Sequence, residues 1–155
     1  TPTTPGSTTA VTYLSDLEIV NQTNTRGPVE IDSSIGQVGI KDGRPITLNG
    51  VRYARGIGTH SDSKLVYNLA GQYTTFITDL GIDDEVGSRG SVVFEIWTDG
   101  TKVFDSGPVS GASATQTAVV NVAGKSQLWL VVRNAGDGYD ADHADWAGAR
   151  LLKAA

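Results

Sequence analysis

Apolar residues in this chain recur at every second position, not at every third or fourth. Val92, Phe94 and Ile96 alternate with Val93, Glu95 and Trp97. Leu128, Leu130 and Val132 repeat the pattern, opposed by Trp129, Val131 and Arg133. Leu65, Tyr67 and Leu69 form another inward series, and residues 73–82 and 118–122 add two more apolar runs. A period of two sends successive side chains to opposite faces of a strand. Asn49-Gly50 and Asp99-Gly100 lie between such runs, and both pairs readily take the positive φ of a two-residue hairpin. Nineteen glycines punctuate the runs, and no segment carries an apolar stripe of helical period. Leu14-Ser15-Asp16-Leu17 suits a short 3₁₀ turn. Roughly eight or more short strands predict an all-β fold, a β-sandwich of jelly-roll type.

The chain has 155 residues, the size of one domain and enough to bury a sizeable core. Its start, Thr1-Pro2-Thr3-Thr4-Pro5-Gly6-Ser7-Thr8-Thr9-Ala10, holds no large apolar side chain and reads as the end of an interdomain linker. The expected division is a linker remnant over residues 1–11 and a sandwich module over residues 12–155, with its first and last strands paired. Such linkers tether modules in secreted multidomain enzymes, so a secreted, extracellular setting is expected. The formal charge of −5 argues against phosphate contacts with nucleic acid. No apolar run approaches the roughly 20 residues of a membrane helix. Neither nucleic acid nor membrane is an expected partner, and a monomer is expected. Zero cysteines exclude disulfides, thiolate catalysis and Cys-ligated zinc.

Candidate chemistry concentrates in Asp137-Gly138-Tyr139-Asp140-Ala141-Asp142-His143-Ala144-Asp145-Trp146, which lies between two strand-like runs. Carboxylates and imidazole make directed hydrogen bonds or hold a cation, and an aromatic face covers the apolar side of a sugar ring. Tyr139 and Trp146 are the stacking candidates. Trp146 also reads as core, because Ala147, Ala149 and Leu151 continue its strand. Arg133-Asn134 offers a donor fork and an amide suited to vicinal hydroxyls, or a salt bridge from Arg133 to a nearby aspartate. The two histidines of the chain, His60 and His143, are both flanked by aspartate and are expected to meet. The candidate sugar contacts are therefore His60, Arg133, Asn134, Asp137, Tyr139, Asp142, His143 and Trp146.

No zinc signature is present. Calcium takes six to eight oxygens from irregular loops. Residues 30–34 and 137–145 offer such oxygens, with Asp32 and Asp145 as candidate ligands of a structural calcium. Asp83-Asp84-Glu85 could in principle serve a small hydrolase. A glycosidase needs two carboxylates across a deep cleft, however, and this stretch reads as a solvated turn. Trp97 and Trp129, on the faces opposite their strands' smaller aliphatics, either close the second layer of the sandwich, cover an edge or offer a flat stacking platform.

Several ordered segments resemble the NPCBM domain, also classed as carbohydrate-binding module family 51 and galactose-binding-like in fold. Tyr13-Leu14-Ser15-Asp16-Leu17 is similar to the family's opening YLSDL. Residues 46–63, with Gly56-Ile57-Gly58-Thr59-His60, resemble its central strand and GIGTH motif. Residues 76–84 and 92–107 resemble its next strand and hairpin, and Asp142-His143-Ala144-Asp145-Trp146-Ala147 its closing DHADWA. The chain departs from the family at Glu18-Ile19-Val20, where many members carry Trp. The resemblance implies a jelly roll with no catalysis of its own, a galactose-type glycan ligand, and a role tethering a secreted glycoside hydrolase to its substrate. It also implies calcium in some members, and it maps family residues onto His60, Asp142, His143, Asp145 and Trp146. The competing expectation is a structural module that packs against the catalytic domain of the same polypeptide and binds no sugar.

Overall fold

The alternation closes into two facing antiparallel sheets. The structure, a computed structural model, describes residues 10–24, 29–33, 45–60, 62–84, 91–134 and 143–153. One sheet runs in the order β11 (Gln116–Asn121), β8 (Thr75–Ile82), β13 (His143–Lys153), β6 (Gly56–His60) and β3 (Glu30–Ile31), and β1 (Ala10–Tyr13) also pairs with β13. The other runs β10 (Thr101–Ser110), β9 (Ser91–Thr98), β12 (Gln127–Asn134), β7 (Ser63–Asn68) and β2 (Asn21–Asn24). A hairpin of β4 (Ile46–Leu48) and β5 (Val51–Tyr53) turns at Asn49 and Gly50, and Asp99 and Gly100 turn β9 into β10. Both are the predicted hairpins. Leu14–Asp16 forms the predicted 3₁₀ turn, with Leu14 fully buried.

Parity decides what faces the core. Val92, Phe94 and Ile96 on β9, Leu128, Leu130 and Val132 on β12, and Leu65 and Tyr67 on β7 are all buried between the sheets. Opposite them, Ile57, Phe76, Leu80, Ala144, Trp146 and Leu151 line the first sheet. The Trp146 and Phe94 rings meet edge to face at 5.0 Å, so one aromatic contact ties the two layers together. The β4–β5 hairpin packs Ile46, Leu48 and Tyr53 on Ala147, in a small second cluster on the far side of β13.

The first and last strands pair as expected, but pairing starts two residues early. Ala10 and Val11, assigned to the linker, lie opposite Lys153 and Leu152. The long β13 carries β6 on its first half and β1 on its second, so the sheet captures these residues although their side chains are small or exposed. Residues 1–9 lie outside the described residues.

Gly56 shows why glycine stands where β6 begins. A Cβ there would come 2.6 Å from the Trp146 carbonyl and 2.8 Å from Ile46 Cδ1. The close approach of β6 to β13 and the hairpin therefore has no room for a side chain.

Candidate functional site

One end of the sandwich gathers most of the candidate residues that are described. β6 ends at His60 and β7 begins at Ser63, while β12 ends at Asn134 and β13 begins at His143. The register places Asn134 opposite Val92 and His143 opposite His60, so these strand ends lie at the same edge. The Asn134 amide donates to the Asp62 carboxylate at 2.8 Å, tying the exit of β12 to the β6–β7 connection.

His60 and His143 meet as expected, with ring centroids 5.7 Å apart and edges toward faces. Both are buried, at 1% and 6% exposure. They brace the paired ends of β6 and β13 and offer almost no surface to a ligand. Trp146 as a stacking platform is corrected outright. Its even-numbered position points inward beside Ala144, and with no exposed surface it can only be core. Asp137, Tyr139 and Asp142 lie outside the described residues.

The calcium candidates separate. Asp32 Oδ1 accepts the Ser15 hydroxyl and, at 3.0 Å, the Gly56 amide, while Arg55 Nε lies 3.6 Å away. Donors and a guanidinium around Oδ1 make that oxygen a hydrogen-bonded, ion-paired one. Asp145 is fully buried between the in-register glycines Gly58 and Gly81, on the other side of β6 from Asp32. Among the described residues, no group of three or more His, Asp or Glu side chains is placed to hold a metal ion.

Arg133 and Asn134 remain accessible, and beside Arg133 the structure opens a cavity of about 280 Å³ on the outer face of the second sheet. Its walls include Trp97, Trp129, Asp62, Lys64 and Arg133. Val131, central on β12, forms part of the floor. Trp97 and Trp129 are cross-strand neighbours, stacked at 5.9 Å with planes 27° apart. Lys64 Nζ sits 3.9 Å from the Trp129 ring centre on a neighbouring strand. The two indoles therefore form a wall whose faces are partly taken, not the open platform that parity alone suggested.

Hydrogen bonds fix this wall. Trp97 Nε1–H donates to Glu95 at 2.9 Å, and Trp129 Nε1–H donates to Gln127 at 3.1 Å. Arg133 Nε donates to the other Glu95 oxygen at 3.1 Å, while the side chain stays 57% exposed. Arg133 thus makes a salt bridge to Glu95, while Asp137, Asp140 and Asp142, its neighbours along the chain, lie outside the described residues. Glu95 and Arg133 sit diagonally on adjacent strands, within reach of long side chains. A rigid apolar wall, an aliphatic floor, two cations and a carboxylate make a shallow cavity that can pack a sugar's C–H face and bond its hydroxyls. Asp62 and Lys64 are new to the site. Their signal was parity on β7 together with the tie from Asp62 to Asn134, and only the fold supplies that tie.

Comparisons with known proteins agree with this architecture. The NPCBM/NEW2 domain family matches residues 10–152. A Renibacterium salmoninarum protein carrying the provisional name endo-alpha-N-acetylgalactosaminidase is 35% identical over 151 residues, which is 97% of this chain and 10% of that protein. The chain therefore spans about a tenth of that curated relative. Among solved structures, the CBM51 of a Clostridium perfringens GH95 protein, in complex with methyl-galactose, is 39% identical with a TM-score of 0.84, over 92% of this chain and 99% of that one. The CBM51-2 and INT domains of Clostridium perfringens ZmpB, with GlcNAc bound to CBM51-2, give 34% identity and a TM-score of 0.85, over 93% of this chain and 32% of that one. With all but the last residue of its strand framework inside the matched span, the chain belongs to the NPCBM/NEW2 domain family and is a non-catalytic carbohydrate-binding module.

Proposed function

We propose that the module binds a galactose-type glycan in the cavity beside Arg133, and that it anchors a secreted glycoside hydrolase to its substrate. The single observation that carries this reading is the cavity itself: two fixed indoles, Val131, Asp62, Lys64 and Arg133 line one hollow on the outer face of the second sheet. Methyl-galactose in one solved CBM51 relative and GlcNAc in another support a small pyranose as the ligand class. The galactosaminidase name of the Renibacterium relative supports galacto-configured glycans and an enzyme parent. Affinity should be modest, on the order of 10⁻³ to 10⁻⁵ M, because an exposed sugar exchanges water hydrogen bonds for protein ones. Several modules acting on one polymer would raise the avidity.

Calorimetric titration of the chain with methyl-galactoside, N-acetylglucosamine and methyl-glucoside tests the proposal. Saturable binding of galactoside, weakened at least tenfold by Trp129→Ala with the fold intact, is the expected result. Unchanged binding in that variant would move the site elsewhere. A structural calcium is part of the proposal, with Asp32 and Asp145 as its candidate ligands. A fall in melting temperature on adding chelator would show a cation bound to the native state. No fall would remove calcium from the account.

A further inference from the structure

A second cavity of about 280 Å³ lies against the first sheet, where the β5–β6 connection meets β13. Arg52, Arg55 and Arg150 line it together with the rings of Tyr13 and Tyr53. Among the described residues, no aspartate or glutamate lines it. That is unusual in a chain with a net charge of −5.

The three guanidinium groups are not equivalent. Arg55 is a framework group: it pairs with Asp16, lies near Asp32 and sits 4.8 Å from the Tyr13 ring centre. Its charge is already balanced. Arg150 Nη1 donates to the Gly148 carbonyl at 2.9 Å. Among the described residues, neither Arg150 nor Arg52 makes an ion pair. Two uncompensated cations therefore border one small hollow.

The hollow is built, not incidental. The register of β13 shifts between Ala147 and Arg150, and Gly148 takes φ +61° in that irregularity. The Gly148 amide donates to the Arg55 carbonyl at 2.7 Å, which locks the bulge to the floor of the cavity. Tyr53 is held as a wall by its hydroxyl, which donates to Asp79 at 2.6 Å. A Cβ on Gly148 would sit 3.7 Å from the Tyr53 ring, so the bulge lies directly against that wall.

We infer that this cavity is a second ligand site, selective for an oxyanion carried on a sugar: a sulfate ester or a carboxylate of an acidic glycan. Guanidinium forks match both groups with paired, charge-assisted hydrogen bonds. The flanking tyrosine rings suit the sugar that carries the anion. Assigning a glycan rests on the carbohydrate-binding reading above, whereas the preference for an anion rests on this cavity alone.

Side-chain NMR of the arginines and tryptophans separates the two sites. The probes are a sulfated galactoside, a sialylated lactose, neutral lactose, inorganic sulfate and a polyglutamate peptide. Acidic sugars are expected to shift the Arg52 and Arg150 signals saturably, with binding that weakens in salt. Neutral lactose is expected to leave those signals in place. Arg52→Gln with Arg150→Gln should weaken acidic-sugar binding at least tenfold while methyl-galactoside binding stays the same. Arg52→Gln alone, on the exposed hairpin, is the control if the double variant folds poorly, and a severalfold loss is expected there. Whichever of the sulfated and sialylated sugars binds more tightly identifies the preferred anion. Acidic sugars that leave both arginine signals unmoved, or bind both variants as they bind the parent, would overturn the proposal. Inorganic sulfate or polyglutamate binding as tightly as the acidic sugars would overturn the glycan assignment. Loss of the galactoside response at the tryptophans, with the arginine response intact, would instead count against the first site only.

Discussion

Trp146, on β13 of the first sheet, and the Trp97–Trp129 pair, on β9 and β12 of the second, do opposite work in one sandwich. Trp146 is sealed between the sheets, edge-on to Phe94, with no acceptor for its indole N–H among the described residues. Trp97 and Trp129 face out of the second sheet, partly exposed, and both of their N–H groups are satisfied by neighbouring side chains. Burial area holds the first indole in place, whereas hydrogen bonds, stacking and Lys64 hold the other two. A tryptophan in an acid-rich motif can thus be pure core, while tryptophans in plain alternating strands can line a cavity. Strand parity, not the chemistry of the flanking residues, makes the difference.

Substitutions can break this contrast. The largest effect is expected for Trp146→Ala, which should cost about 3–5 kcal/mol in urea unfolding because nothing can collapse into the space between the sheets. Gly56→Ala should follow, at about 2–3 kcal/mol, because its methyl would strike the Trp146 carbonyl. Trp129→Ala should cost only about 1 kcal/mol of stability, yet reduce galactoside affinity at least tenfold in calorimetry. A Trp129→Ala protein as unstable as Trp146→Ala would erase the distinction. Tyr67→Phe sharpens it from the inside. That hydroxyl is buried with no partner among the described residues, and burial pushes its pKa well up, so removing it should leave stability unchanged or raise it slightly.

The smallest effect is expected outside the core, at Tyr53. Burial, and then its hydrogen bond to Asp79, push the Tyr53 phenol up to about 12. The neutral form is favoured in the folded state, so its contribution is fully present below the ordinary value near 10 and is lost as pH rises toward 12. Tyr53→Phe should flatten that part of the alkaline fall in stability. An identical alkaline profile would show that the Asp79 contact contributes nothing.

Most of the framework was legible in the sequence because it rests on local rules. The alternation at residues 92–97 and 128–133 assigned inward and outward faces correctly, and Asn49-Gly50 and Asp99-Gly100 marked real hairpins. The meeting of His60 with His143 was also foreseen. The site was less legible. Burial of both histidines depends on what covers the sheet, and the engagement of Asp32 depends on Ser15 and Arg55, which are distant in sequence. Arg133 finds Glu95, 38 positions away along the chain, because cross-strand register brings the two together. Lys64 meets Trp129 for the same reason.

The chain has three tryptophans, so its NMR spectrum holds three indole N–H signals, and these test the central claim most directly. On titration with methyl-galactoside, the Trp97 and Trp129 signals should shift together and saturate, while the Trp146 signal stays in place. Saturable binding that leaves Trp97 and Trp129 unmoved, or that moves Trp146 alone, would contradict the account.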